Sequence, residues 1–97
     1  MRKLKLRPKA KNDLDGIWEH TLENWGQTPA TKYLKKINRT FDLIACNPYI
    51  GRPRGKTLAG LHVVTAEKHI LCYLVDNYQI DVSRILHRCM EIESSIL

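Results

Sequence analysis

The stretch His69-Ile-Leu-Cys-Tyr-Leu-Val-Asp76, then Asn77-Tyr78, then Gln79-Ile-Asp-Val-Ser-Arg-Ile-Leu-His87 decides the fold. Two runs rich in β-branched and aromatic residues flank a short polar pair, which is the pattern of an antiparallel hairpin. Ile70 to Val75 is apolar at every position. Such a strand has no solvent face and belongs in the middle of a sheet, covered on both sides.

Working outward, Leu61-His-Val-Val-Thr-Ala66 precedes it as another strand, joined through a turn at Glu67-Lys68. At the N-terminus Arg2, Leu4 and Leu6 alternate with Lys3, Lys5 and Arg7. That is a short strand with one wet face, and its lysines suit a sheet edge. Pro8 then stands where a first helical turn begins. Ala10, Leu14, Ile17, Trp18, Leu22 and Trp25 follow at intervals that make one helical stripe, and Gly26 stops it. Thr28-Pro29 reads as an N-cap followed by the first helical position of a second helix. Its stripe is Ala30, Tyr33, Leu34, Ile37, Phe41 and Ile44, and Asn47-Pro48 ends it. So short a connection predicts an antiparallel helical hairpin. Asp13 and Asp15 are read as acids favoured by the start of the first helix.

Residues 47–60 are punctuated by Gly and Pro and read as loop, with Arg52, Arg54 and Lys56 and no acid among them. After His87 comes a short tail, expected to form one helical turn or to dock on the sheet.

The order predicts an α+β fold: an N-terminal strand, an antiparallel helical hairpin, then a three-stranded antiparallel meander, with the helices packed on one face of the sheet. The other face has no evident cover in the sequence, so a partner is expected to supply it. With 97 residues, one domain is expected over 1–97.

Composition narrows the function. Hydrophobic residues make up 43% of the chain, as in globular proteins, and no apolar run approaches a membrane span. The basic N-terminus lacks the apolar core of a signal peptide, so a cytoplasmic location is expected. The three cysteines, Cys46, Cys72 and Cys89, have neither the count nor the spacing of a disulfide framework or zinc site. Cys72 reads as a small buried hydrophobe. No metal and no cofactor are expected, and no phosphate-binding loop is present. A net charge of +6 suits an acidic partner.

Leu14-Asp15-x-Ile17-Trp18, Trp25-Gly26, Tyr33-Leu34 and Phe41 resemble the two helices of ParE-type toxins. Asn47-Pro48-x-x-Gly51 looks like that family's exit from the second helix. Gly60-Leu61, His69-Ile-Leu-x-Tyr73 and Ile80-x-Val82-x-Arg84-Ile-Leu-His87-x-x-Met90-Glu91 are similar to its closing strands and tail. The resemblance runs nearly end to end. It implies the RelE/ParE superfamily of type II toxin–antitoxin modules, a toxin that stalls DNA gyrase by binding rather than by chemistry, and a ParD-like antitoxin whose flexible, commonly acidic segment wraps it. Two positions depart from the family pattern. His62 and Leu74 stand where arginines often do, which removes two positive charges from the sheet.

Site expectations follow. For the antitoxin they are Leu14, Trp18, Leu22, Trp25 and Leu74, as large apolar area that two short helices leave partly open. For target inhibition they are the basic loop with Arg52, Arg54 and Lys56, together with Arg84, His87, Arg88, Met90 and Glu91. The rival reading is a RelE-like ribosome-dependent mRNA endoribonuclease. Attack by a 2′-hydroxyl needs a base, an acid and cations, and His69, Arg84 and His87 are its candidates. RelE-type sites often use a tyrosine near the C-terminus, and none follows Tyr78 here. A plain nucleic-acid-binding module, stacking through Tyr49 beside the basic loop, is a third reading. Under the toxin reading no stable nucleic-acid binding is expected of the free chain.

Overall fold

Lys3-Leu-Lys-Leu6 forms β1, with Leu4 and Leu6 turned to the core and both lysines exposed. Arg7 stays extended, as the residue before a proline must, and α1 runs from Pro8 to Trp25. The computed structural model describes residues 2–90 and residue 92.

A single residue, Gly26, joins α1 to α2 (Gln27–Cys46). Its φ of 87° and ψ of 176° lie in a region open almost only to glycine, and its N–H donates to Leu22 O at 3.0 Å. Gly26 thus ends one helix and starts the next. Thr28 is not the cap; α2 begins one residue earlier, with Pro29 inside its first turn. Asp13 and Asp15 are likewise not first-turn acids, because α1 starts at Pro8 and its first turn holds none.

The sheet has five strands: β1, β2 (Arg52–Pro53), β3 (Leu61–Ala66), β4 (His69–Val75) and β5 (Gln79–His87), in the spatial order β1-β5-β4-β3-β2. β1 lies parallel to β5 at one edge, and the other pairings are antiparallel. β2 corrects the reading of residues 47–60 as loop throughout. It is two residues long, sits on the outer edge where proline is tolerated, and pairs Arg52 with Val63. Gly51, just before it, passes so close to β4 that a Cβ there would lie 2.5 Å from the Tyr73 hydroxyl. That hydroxyl is buried, donates to Pro48 O at 2.7 Å and accepts Gly51 N–H at 3.1 Å.

The hairpin of β4 and β5 is the scaffold. Asp76 closes its turn by accepting the N–H groups of Tyr78 and Gln79. Ser83 is an extra residue in β5: Tyr73 pairs with Val82, yet Cys72 pairs with Arg84. This bulge resets the alternation. Leu71, Tyr73, Ile80, Val82 and Ile85 therefore all meet Ala10, Ile17, Ile37, Phe41 and Ile44 of the helices in one core.

The opposite face holds Leu61, Val63, Cys72 and Leu86, all buried, with Ile92 packed on them. The expectation that this face lacks cover within the chain is corrected: Ile92 docks there. Among the described residues Ile70 and Leu74 pack half-buried on it.

β1 covers only Gln79–Val82 of β5, the Arg7 N–H reaching Val82 O at 3.0 Å. Past that point the outer edge of β5 has no strand neighbour among the described residues. α1 crosses there instead and supplies Asp13.

Candidate functional site

Asp13 seals the open edge of β5. Its carboxylate accepts Ile85 N–H at 3.0 Å, Arg84 Nε–H at 2.7 Å and Arg84 Nη2–H at 3.0 Å. The side chains are only 20% and 17% exposed, for Arg84 and Asp13 respectively. The carboxylate holds the guanidinium pKa above its usual value.

Beside this seal lies a groove of about 780 Å³ between α1, the start of α2, the β3–β4 turn and the end of β5. α1 contributes Ile17, His20 and Trp25, α2 contributes Tyr33, the turn Glu67 and Lys68, the strands His69, Ile85 and His87, and the segment beyond β5 Met90. Trp25 is 70% exposed and Met90 46% exposed, so the rim carries large apolar area open to a partner.

At one end of the groove His69 and His87 face each other as cross-strand partners, with ring centroids 5.4 Å apart and planes at 83°. The Tyr33 hydroxyl lies 2.6 Å from His69 Nδ1 and accepts the Lys68 N–H at 3.1 Å. Burial pushes the Tyr33 pKa up, so it keeps its proton. Burial, with the neighbouring His87 adding to it, pulls the His69 pKa below the usual histidine value. The turn that positions Lys68 carries backbone strain, with Glu67 at a φ of 58°. Glu67 pairs with Lys36 of α2 at 3.6 Å, and Lys68 O accepts the Arg88 N–H at 2.9 Å.

The structure divides the expected site residues. Of the antitoxin set, Trp25 lines the groove. Leu14 packs against the helical core, Trp18 is half-buried, Leu22 is 38% exposed, and Leu74 belongs to the cluster on the far face. Of the target set, His87 and Met90 line the groove and Arg88 is tied to its turn. Arg84 is held by Asp13. Arg52, Arg54 and Lys56 lie at and beyond the β2 edge, across the sheet and at the opposite end of the strands. Glu91 lies outside the described residues. Of the nuclease set, His69 and His87 meet, while the cation meant to accompany them is bound to a carboxylate.

The sequence marks none of Tyr33, His20, Lys68 and Asp13 as site residues: Asp13 reads there as a helix-start acid and Lys68 as part of a turn. Tyr33 sits on the apolar stripe of α2 and is indistinguishable there from core. Its partner His69 is 36 residues away.

The two departures from the family pattern have local roles. His62 stacks on Tyr73 at 5.6 Å, takes the edge of Tyr49 at 5.8 Å, and its Nδ1 lies 3.0 Å from Gly60 O. Arg2 lies over the Tyr49 ring at 5.8 Å. Leu74 packs with Leu61, Cys72 and their neighbours.

Among the described residues no group of three or more His, Cys, Asp or Glu is placed to hold a metal ion, and no helix is long and apolar enough to cross a membrane.

Comparison with known proteins places this geometry. Residues 4–92 match the model of a family described as the ParE toxin of the type II toxin–antitoxin system parDE. The chain is 35% identical over 92 residues to Toxin ParE1 of Mycobacterium tuberculosis, covering 94% of both chains. It is 31% identical over 90 residues to Toxin ParE1 of Caulobacter vibrioides, covering 93% of both. Among solved structures it is similar to a chain of the chromosomal ParDE system of P. aeruginosa, with a TM-score of 0.76, 26% identity, and 90% of this chain and 96% of that one covered. YoeB of Staphylococcus aureus shares the fold, with a TM-score of 0.61 at 24% identity over 90% of this chain and 97% of that one.

Proposed function

The chain belongs to the ParE toxin family of type II toxin–antitoxin systems, and from that premise we propose that it inhibits DNA gyrase by binding, without chemistry of its own, and is neutralised by a ParD-like antitoxin seated in the groove between α1 and the end of β5. The observation that carries the antitoxin assignment is the groove's make-up. An exposed Trp25 and Met90 offer apolar anchors in a groove that also holds hydrogen-bonding side chains. The net charge of +6 favours an acidic segment as occupant. The solved relative from a ParDE system supports a partner of this kind for a chain of this fold.

The binding-only reading is favoured over catalysis by Arg84. A phosphorane-like charge needs a cation to meet it, and Arg84, the cation the sequence offers beside the histidines, is already matched by the Asp13 carboxylate, which leaves Lys68 in the lining. The His69–His87 pair is the one observation on the side of an endoribonuclease, since two facing imidazoles are able to serve as acid and base.

The test is to purify the chain with and without the antitoxin encoded beside it. Purified gyrase is then assayed for trapped cleaved DNA, and translating ribosomes for cut mRNA. Trapped DNA, abolished by the antitoxin, is the expected result. Cut mRNA without trapped DNA would replace this reading by the nuclease one.

A further inference from the structure

The two histidines at the end of the groove present a specific chemistry. A backbone amide only donates, so the Cys89 N–H at 3.2 Å makes His87 Nδ1 an acceptor. The Tyr33 oxygen already accepts the Lys68 N–H, which leaves its own proton for His69 Nδ1. His87 in its neutral form therefore carries its proton on Nε2, and His69 does the same with the Tyr33 hydroxyl as donor to its Nδ1. A metal ion would need Nε2 bare and a proton on Nδ1, and the Cys89 amide denies His87 that arrangement. The two ring centroids are 5.4 Å apart, and neither Nε2 has a hydrogen-bond acceptor among the described residues.

The surroundings say which acceptor. The acids lining the groove are Asp13 and Glu67. Asp13 is committed to Arg84 and Ile85 N–H, and Glu67 is paired with Lys36. Lys68 is the cation in the lining, and Arg88 is held close by through its N–H on Lys68 O, so the charge there favours an anion. The apolar rim of Trp25 and Met90 suits a peptide better than a sugar–phosphate chain.

Resting on the reading that the antitoxin occupies this groove, we infer that His69 and His87 together form a donor pair for one carboxylate, an Asp or Glu side chain of the antitoxin segment. The pair acts as a specificity element: it selects an acidic residue at one position of the segment, while Trp25 and Met90 supply area.

The test is titration of the purified chain with its antitoxin at neutral pH, with circular dichroism confirming the fold of each variant. His87→Ala is expected to weaken binding about ten- to hundredfold, the range of one hydrogen bond to a charged group. His87→Gln keeps an N–H donor near the Nε2 position and is expected to stay within about threefold. Exchanging each antitoxin Asp or Glu for its amide in turn is expected to find one position with a comparable loss, and that loss is expected to shrink on the His87→Ala background, where only the His69 donor remains. The donor pair is overturned if His87→Ala stays within about twofold of wild type while Trp25→Ala loses binding, because the groove is then occupied without a carboxylate on the histidines. It is also overturned if His87→Gln loses as much as His87→Ala, or if an RNA oligonucleotide, and no acidic position of the antitoxin, is sensitive to the histidine change. If Trp25→Ala and Met90→Ala leave binding intact as well, the groove assignment itself falls.

Discussion

Asp13→Ala is the substitution whose consequences are most fully set by geometry. The carboxylate accepts three hydrogen bonds, from Arg84 Nε, Arg84 Nη2 and Ile85 N. Its removal leaves a mostly buried guanidinium without that partner and an unsatisfied amide on the open edge of β5. Hydrogen bonds to a charged group contribute about 1.5–3 kcal/mol, and breaking one side of a buried ion pair costs about 3–5 kcal/mol. Both side chains keep some contact with water, 20% and 17% exposed, so part of that cost is recovered by solvation. The expected loss is about 2–3 kcal/mol. For a domain of this size that lowers Tm by about 10–20 °C. Urea unfolding followed by circular dichroism measures it. Asp13→Asn keeps an acceptor for Ile85 N–H but loses the charge, and is expected to fall between wild type and Asp13→Ala. In a double-mutant cycle, Asp13→Ala on an Arg84→Ala background is expected to cost about 1–2 kcal/mol less than on wild type. A loss under about 0.5 kcal/mol, or strict additivity of the two changes, would refute the view that this contact holds α1 to the end of the sheet.

Two glycines of α1 and its terminus make an internal control: nothing lies within 4 Å of a Cβ added at Gly16 or Gly26, so only the backbone distinguishes them. Gly16→Ala is expected to stabilise the chain by about 0.5–1 kcal/mol and Gly26→Ala to destabilise it by about 1–3 kcal/mol, read from urea midpoints. Tyr73→Phe removes a buried hydroxyl that serves both Pro48 O and Gly51 N–H, and is expected to cost about 1–3 kcal/mol, with hydrogen exchange rising at Gly51. His69 has a folded pKa below its unfolded value near 6.5, so its contribution to stability is present above that value and is lost as pH falls from it toward the folded pKa. The free chain is therefore expected to melt lower at pH 5.5 than at pH 7.5, and His87→Gln is expected to flatten the slope, since His87 is the second cause of the depression.

Local chemistry made much of this architecture legible. Pro8 and Gly26 bound α1 in the sequence as they do in the structure, and the apolar run from Ile70 to Val75 marked the central strand. What escaped depends on distance along the chain. β2 is two residues in a stretch dense with proline and glycine, and it is a strand only because Val63 and His62 lie beside it. The cover on the far face comes from Ile92, one of several apolar residues scattered through a tail without helical or strand periodicity. The bulge at Ser83 shifts the period inside β5, and no alternation rule announces it. In the site, His69 and His87 were adjacent on neighbouring strands by pattern. Asp13 was not, because its partners stand more than seventy residues away and its position in α1 suggested a dipole role. Tyr33 was hidden by a stripe that serves the core and the groove at once.

The gathering of these residues bears on how neutralisation works. The sequence points Trp25 to the antitoxin, Met90 to the target, His69 to catalysis and His87 to both target and catalysis, yet all four line one groove. An occupant that fills this groove from Trp25 to the histidine end covers the His69–His87 pair. On the reading that the end of β5 meets gyrase, the antitoxin then needs no distortion of the toxin to silence it. Direct occlusion is enough, and the elements argue for it: the groove walls are two helices joined by one residue and a hairpin paired from His69–His87 to Val75–Ile80 around a single bulge. The basic residues at the β2 edge lie outside such a footprint, at the other end of the strands. Substituting Arg52 and Lys56 together separates the two surfaces: antitoxin affinity is expected to hold under this change, and any loss of gyrase inhibition would then assign that edge to the target alone.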